Sequence, residues 1–374
     1  MRLPVLVLGA FLLAAVTGTP ARAQPDPSGI DFVTIGSPNN PAWAGNGTPG
    51  DRAVGRGSVG YEYRIGRYEV TTAQFVEFFN AAFDRPLDDR LPHLIPPDFW
   101  GAASTTPTTP GGLRWTVPAG NEMIPVGNIS WRMAAMYCNW LHNEKGTDRS
   151  AFLSGAYDVS TFSYTGSVFN DQWTRSPGAR YFIPSWDEWL KAAHWSPTNP
   201  SNNGWHLYSH SSDTPPVYGP PGVLVNGQPT QANGAWDHFT FPSHNPFAIR
   251  LGSYSTVQSP WGLFDVAGGT TEWTEGISFT NGIFPTGRLF DGTSWASPST
   301  QPRDRIGGRG ADFPSLSTFD LGFRVAAVVP APSTCAVLCG VCPLLHRRSR
   351  RFGVIIEVTS PVFAHRCRRD AVIL

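Results

Sequence analysis

The cysteines are the side chains best suited to metal or redox chemistry, and their placement limits what they can do. Cys339-Gly-Val-Cys342 has the C-x-x-C spacing of zinc and redox sites. Zinc needs a second ligand pair nearby, and a redox pair needs a thioredoxin-like βαβ context; neither accompanies this motif. Cys138 is the single cysteine before the C-terminal tail, so we interpret it as a small buried hydrophobe without a disulfide partner.

The histidines raise the question of a non-haem iron site, which needs two or three imidazoles facing one position. Those in the loop-rich half are His194, His206, His210, His238 and His244. His206 and His210 have helical i, i+4 spacing, but the surrounding Asn, Gly, Ser and Pro residues disfavour a helix. We interpret these histidines as solvated loop side chains and keep an iron-dependent oxidoreductase as the alternative function.

Residues 1–23 have the pattern of a secretory signal peptide. Arg2 precedes an apolar stretch from Val5 to Val16, and Ala21-Arg22-Ala23 is a small-x-small cleavage site. The stretch is shorter than the roughly 20 apolar residues of a membrane span. We therefore predict export, with a mature chain that begins at Gln24.

Composition and charge favour an irregular extracellular domain. The chain has 374 residues, 13% of them aromatic, with 39 Gly and 35 Pro, which argues against both disorder and a helical bundle. The chain has 28 basic and 28 acidic residues, of which nine arginines and two acids lie in residues 1–23 and 346–374. Residues 24–345 therefore keep 19 basic and 26 acidic residues. That net charge of about −7 disfavours nucleic-acid binding.

Local patterns predict one irregular α+β domain over residues 28–328. Thr71 or Thr72, Ser130 and Ser185 are helix N-cap residues. The predicted helices run to Phe83, to about Asn143 and to about His194, and the predicted strands are 31–36, 61–70 and 322–327. Beyond position 196 we expect long loops with short strands. Four tryptophans are expected in one core, with a sugar-stacking groove as the alternative: Trp131, Trp189, Trp273 and Trp295.

Five segments in order resemble the sulfatase-modifying-factor family. They are Gly66-Arg67-Tyr68-Glu69-Val70-Thr71, the segment from Pro125 to Trp131, the segment from Phe182 to Ala193, the segment from Trp261 to Trp273, and the closing pair Asp291-Gly-Thr-Ser-Trp295 and Leu321-Gly-Phe-Arg-Val-Ala326. The family includes formylglycine-generating enzymes and iron-dependent sulfoxide synthases. The resemblance implies an irregular, loop-rich, C-type-lectin-like α+β fold.

The C-terminal region resembles a bacterial PEP-CTERM sorting signal over residues 329–351. Val329-Pro330-Ala331-Pro332 precedes an apolar run from Thr334 to Leu345 and the cluster His346-Arg-Arg-Ser-Arg-Arg351, with Ala331 where that signal usually has Glu. The resemblance implies an exosortase-type sorting protease as a partner, transient membrane contact and delivery to the cell surface. A plain basic tail is the alternative. Residues 352–374 form a further basic tail that neither explanation covers.

The family resemblance also implies a calcium site. Its ligands would be Asp265, backbone oxygens of Gly268 and Thr270, and Glu272. A hard cation prefers carboxylates and carbonyls at short spacing, and glycine lets the chain curl around it. Gly269 replaces the family's usual Asn. The alternative is a glycine-rich turn whose acids cap backbone NH groups without metal.

The resemblance places the copper-binding cysteine pair of formylglycine-generating enzymes at Ser297 and Pro302. Neither side chain offers the soft thiolate that Cu(I) prefers. Copper chemistry is therefore disfavoured. We interpret the chain as an exported, non-catalytic module that recognises an extracellular peptide or glycan.

We predict that the purified domain will not convert the cysteine of a Cys-x-Pro-x-Arg peptide to formylglycine, with or without added copper. No cysteine occurs between Asn139 and Thr334, so a small error in the alignment does not change the expectation. Mass spectrometry of the peptide is the measurement. Replacement of the thiol by an aldehyde would show that the cysteine pair is dispensable.

Overall fold

The computed structural model describes residues 26–330, apart from residue 84 and the stretches 106–113, 235–240 and 297–302. The residues up to Val329 belong to one compact unit. The predicted signal peptide, Ser297, Pro302 and nearly all of the predicted sorting signal lie outside the described residues, as does the tail 352–374.

The three predicted N-cap residues begin three helices. Thr71 and Ser185 each form a capping box, with Gln74 and Glu188 respectively, and the Ser130 hydroxyl accepts the amide of Met133. These bonds satisfy amides that have no partner inside the helix. No helix among the described residues has the length and apolar character of a membrane span. The helices are α1 (Thr72–Ala82), α2 (Trp131–His142), α3 (Ser150–Leu153) and α4 (Trp186–His194).

The strands are short, with one exception, and loops separate most of them. Within the described residues they are β1 (Phe32–Ile35), β2 (Tyr63–Gly66), β3 (Ala103–Ser104), β4 (Trp115–Thr116), β5 (Tyr164–Thr165), β6 (Val168–Phe169), β7 (Tyr181–Phe182), β8 (Leu224–Val225), β9 (Gln228–Pro229), β10 (Thr271–Thr280), β11 (Phe284–Asp291), β12 (Gly310–Asp312), β13 (Leu321–Phe323) and β14 (Ala326–Val328). The predicted irregular, loop-rich α+β architecture is confirmed.

Two four-stranded sheets organise the domain. The first has the order β1-β2-β14-β7 and is antiparallel throughout. The second has the order β12-β11-β10-β13, in which β13 runs parallel to β10 and the other pairs are antiparallel. The remaining described strands form the two-stranded ribbons β3-β4, β5-β6 and β8-β9.

The structure corrects two strand predictions. The predicted strand 322–327 is divided between β13 and β14, because the chain changes sheets at Arg324 and Val325. The expectation of only short strands beyond position 196 is wrong for β10 and β11, which form a long hairpin. Buried Glu272 and Glu275 interrupt the apolar alternation of β10, so periodicity did not reveal this strand.

Aromatic side chains fill the interior. The four tryptophans predicted to be buried are 0–5% exposed. Trp131, Trp189 and Trp273 share one core, as predicted, whereas Trp295 is buried outside that core. Cys138 is also fully buried, as predicted, and burial raises the pKa of its thiol well above its usual value. Helix α2 passes through the middle of the domain, since every one of its residues from Trp131 to Leu141 is buried.

We predict that Trp131→Ala lowers the free energy of unfolding by about 3–5 kcal/mol, the usual cost of removing a buried tryptophan. Its ring packs against Tyr157 at 5.2 Å, and its indole NH donates to the Thr274 carbonyl at 3.1 Å. Chemical denaturation is the measurement, and Trp173→Ala is the matched control because Trp173 is 49% exposed. Equal losses from the two variants would contradict the prediction.

Candidate functional site

The turn over residues 265–272 is held by protein atoms from three other segments. The amide of Gly268 donates to the Thr293 carbonyl at 2.6 Å, and that of Gly269 donates to the Asn233 carbonyl at 3.1 Å. Both glycines have positive φ, and a Cβ on Gly269 would lie 2.6 Å from a carboxylate oxygen of Glu69. A side chain at this position would therefore have to displace the Glu69 carboxylate, whereas glycine leaves it in place.

Glu272 forms a buried ion pair with Arg324. The guanidinium Nη2 lies 2.7 Å from Glu272 Oε1, and both side chains are at most 1% exposed. The indole NH of Trp189 donates to Oε2 at 2.8 Å. Glu272 therefore has donors on both of its oxygens, which is the condition under which a buried charge is tolerated.

Two further carboxylates adjoin this ion pair. The carboxylate of Glu69 accepts both the amide and the hydroxyl of Thr270, and Asp265 accepts the amide of Gly252 at 2.6 Å. Burial, reinforced by Glu272, raises the pKa of Glu69 well above its usual value. Burial also raises the pKa of Asp265 to about 6. Both groups interact electrostatically with Glu272 and Arg324.

This arrangement limits how a calcium ion would bind. Glu272 does not fit as a ligand, because a cation at its oxygens would displace the Arg324 and Trp189 donors and lie beside a guanidinium. The described residues contain no group of three or more His, Cys, Asp or Glu side chains placed to hold a metal ion. Calcium held by Asp265 and the backbone oxygens of Gly268 and Thr270 stays a prediction.

An aromatic cluster is centred on Trp295, in the segment that follows β11. Phe247 and Phe319 flank the indole of Trp295, with ring centroids 4.0 and 5.1 Å away, and Phe99 contacts all three rings. Phe247 is 41% and Phe319 is 43% exposed, although Trp295 itself is buried. The neighbouring hydroxyl of Ser294 donates to Asp320 at 2.8 Å. We call Phe99, Phe247, Trp295 and Phe319 the aromatic cluster.

The histidines do not form an open ligand set in the described part of the chain. His194 is 1% exposed at the end of α4, and neither ring nitrogen has a hydrogen-bond partner there. Burial lowers its pKa to about 3. The interpretation of all these histidines as solvated was therefore wrong for His194, which α4 carries into the core. His206 and His210 lie outside any described helix, as predicted, and His238 lies outside the described residues.

Sequence reasoning identified the 265–272 turn but missed its partners. Glu69 and Arg324 stood inside the motifs that carry the family resemblance, yet they were not identified as contacts of this turn. Arg324 could have been found as the one charged residue in the apolar segment 321–326, whereas Glu69 follows Arg67 closely and gives no such signal. The aromatic cluster was also missed, because Phe99, Phe247 and Phe319 come from three distant loops.

Comparison with known proteins identifies the family. The irregular α+β fold and the 265–272 turn are those expected of the sulfatase-modifying-factor, C-type-lectin-like class. The family described as "Sulfatase-modifying factor enzyme 1-like domain" matches residues 44–329. The chain belongs to this family. A comparison with curated proteins gives no match.

Several solved structures are similar to this chain. CarF is 18% identical over 81% of this chain and 100% of that one, with a TM-score of 0.49. PvdO from Pseudomonas aeruginosa is 15% identical over 82% and 97%, with a TM-score of 0.46. Variable protein 1 of Treponema denticola is 19% identical over 80% and 95%, with a TM-score of 0.43. At these identities and scores, none of the three likenesses bears on activity.

We predict that Glu272→Gln destabilises the domain by about 3–5 kcal/mol, because the change leaves the charge of Arg324 buried without its counter-ion. The loss is expected to be the same in calcium and in a chelator, as measured by chemical denaturation. Asp31→Asn is the control, since Asp31 pairs with Arg67 but its side chain is 58% exposed. A loss confined to calcium-containing buffer would instead identify Glu272 as a metal ligand.

Proposed function

We propose that this chain is a non-catalytic recognition module of its family, which binds an extracellular peptide or glycan through the aromatic cluster. The observation that carries the proposal is the exposure of Phe247 and Phe319 around the buried ring of Trp295. Contiguous exposed aromatic surface is typical of ligand and protein interaction sites. Aromatic rings bind both the apolar faces of sugars and the side chains of peptides with little loss of conformational entropy.

The sequence beside the cluster supports binding without catalysis. Trp295 of the aromatic cluster shortly precedes, in the sequence, the two positions that the family resemblance matches to the catalytic cysteines, where this chain has Ser297 and Pro302. Ser294 remains and is held by Asp320. Neither Ser297 nor Pro302 supplies the thiolate that copper chemistry requires, so the sequence supports binding without that catalysis.

An iron-dependent oxidoreductase is the weaker candidate. Of the candidate ligands, His194 has a ring that is enclosed by the core and packs 5.9 Å from the ring of Trp189. An iron ligand in an oxidoreductase must border a position that substrate or oxygen reaches. His194 does not meet this requirement in the present arrangement.

The proposal also includes export and sorting. The segment 1–23 supports secretion, and the Pro-containing, apolar and arginine-rich order of 329–351 supports cleavage by an exosortase-type protease. Membrane contact through that segment would be transient, and the domain would act at the cell surface or outside the cell. A calcium ion at Asp265 remains part of the proposal, as a structural ion and not a reactant.

We predict that Phe247→Ala/Phe319→Ala weakens ligand binding about tenfold or more, since a few aromatic anchors usually dominate such a surface. Screening of the full chain on a glycan array and a displayed peptide library provides the ligand, and calorimetry provides the affinity. Phe284→Ala is the matched control, because Phe284 is 51% exposed on β11 and lies outside the cluster.

Two outcomes would contradict the proposed function. One is a wild-type chain that binds nothing in either screen. The other is a double variant that keeps the wild-type affinity. Thermal melting of the variants separates loss of binding from loss of folding, and the melting temperature is expected to change little because both phenylalanines are partly exposed.

A further inference from the structure

A second concave surface, with no residue in common with the aromatic cluster, lies beside the start of helix α4 and the β10–β11 hairpin. Its cavity has a volume of about 490 Å³. One side carries Arg52, Arg56 and Arg309 around Trp186, and the other carries Trp173 and Phe279. We call this the arginine cavity.

Two of the three guanidinium groups lie over one indole ring, and the third adjoins them. Those of Arg56 and Arg309 lie 5.3 and 5.1 Å from the ring centroid of Trp186. Arg52 donates from Nη1 to the backbone carbonyl of Arg309 at 3.4 Å, which brings the third cation to the same place. Aromatic stacking holds cations close together that would otherwise repel one another.

Only one of these three cations has a carboxylate partner within the described residues. Asp187 binds Arg56 through both carboxylate oxygens, at 2.9 and 2.7 Å. Arg52 and Arg309 have no ion-pair partner in the same set of residues, and the buried Nε of Arg309 has no hydrogen-bond acceptor. Two guanidinium groups therefore remain to bind an anion.

The acidic groups at the cavity are already engaged. Glu275 is buried, pairs with Arg175 at 3.0 Å and accepts the hydroxyl of Tyr157 at 2.7 Å. Asp291 contacts Trp186 and accepts a hydrogen bond from its indole NH at 2.7 Å. Burial raises the pKa of Asp291 to about 7, which reduces its charge near neutral pH. Arginines outnumber carboxylates in the lining of the cavity, by Arg52, Arg56 and Arg309 to Asp187 and Glu275.

The opposite side provides an apolar platform. Trp173 is 49% and Phe279 is 40% exposed, and their rings meet edge to face at 5.6 Å. Exposed aromatic rings beside cationic donors match a ligand that has both a flat apolar face and an acidic group. Sugars with sulfate or carboxylate substituents have this combination, and Arg binds both groups with two parallel hydrogen bonds.

We propose that the arginine cavity binds an acidic carbohydrate, with its sulfate or carboxylate group against Arg52 and Arg309 and a sugar ring on Trp173. This site is additional to the aromatic cluster and does not depend on the proposed function. The two sites share no residue, so each is tested without the other.

The test is calorimetric titration of the full chain with a heparin-derived hexasaccharide, an oligogalacturonate and neutral dextran. We expect both acidic ligands to bind and dextran not to bind, and we expect the affinity to fall as salt is added. The ratio of the two acidic affinities distinguishes a sulfate-binding site from a carboxylate-binding site.

The variants separate the effect of the cavity residues from the effect of a lower net charge. Arg52→Gln/Arg309→Gln is expected to lose at least about tenfold in affinity, because both free donors are removed. Arg90→Gln/Arg250→Gln removes the same charge from exposed positions elsewhere and is expected to bind like wild type. Trp173→Ala is expected to weaken binding while keeping the discrimination against dextran.

Arg52→Gln alone keeps the proposal falsifiable if the double variant folds poorly, since Arg52 is exposed. The proposal is overturned if neither acidic ligand binds, if dextran binds equally well, or if the control variant loses as much affinity as the cavity variant. Binding that survives in the Phe247→Ala/Phe319→Ala variant would confirm that the two sites are separate.

Discussion

The ion pair between Arg324 and Glu272 connects most of the elements in this domain. Besides Glu272 on β10, the guanidinium donates to the backbone carbonyls of Gly66 on β2 and Phe264, at 2.9 and 3.0 Å. Through Trp189 the same carboxylate is bonded to helix α4. A fully buried guanidinium must have its donors satisfied, so the two large sheets, α4 and the 265–272 turn have to meet at one place.

Close backbone approach around this pair depends on glycine. A Cβ on Gly322 would lie 2.2 Å from the Thr270 hydroxyl, and one on Gly268 would lie 2.7 Å from the Asn233 amide nitrogen. The turn thus packs against β13 and against the loop that contains Asn233, and neither contact leaves room for a side chain at Gly322 or Gly268. Protein donors and acceptors already hold its conformation, and that explains how the turn keeps its shape with Gly269 in place of the family's Asn.

The two candidate binding surfaces are formed by different parts of the chain. Loops bring Phe99, Phe247, Trp295 and Phe319 together, whereas the arginine cavity is formed at the start of α4 and along the hairpin. Loops also supply Arg52, Trp173 and Arg309 of the arginine cavity, so both sites depend on loop residues. Neither surface contains a cysteine among its described residues. Family membership therefore defines the fold of this chain, and its individual side chains define what it binds.

Short-range sequence signals determined where the main helices begin. The sequence also shows directly that no cysteine lies between Asn139 and Thr334. A serine or threonine three residues before Gln74, Met133 or Glu188 is a short-range signal, so the starts of α1, α2 and α4 were predictable. The burial of the four motif tryptophans was likewise predictable, since large aromatic residues in motif segments of this kind pack inward.

Tertiary structure alone decided the partners of the charged and exposed residues. Glu69 meets Thr270 across 201 positions, Arg52 meets Arg309 across 257, and the chain changes sheets at Arg324. No periodicity encodes such contacts, because they depend on the path of the whole chain and on where glycine permits close approach. The sequence by itself located the candidate turn. The folded chain decided that Glu272 pairs with Arg324 and that Arg52, Arg309, Trp173 and Phe279 line one cavity.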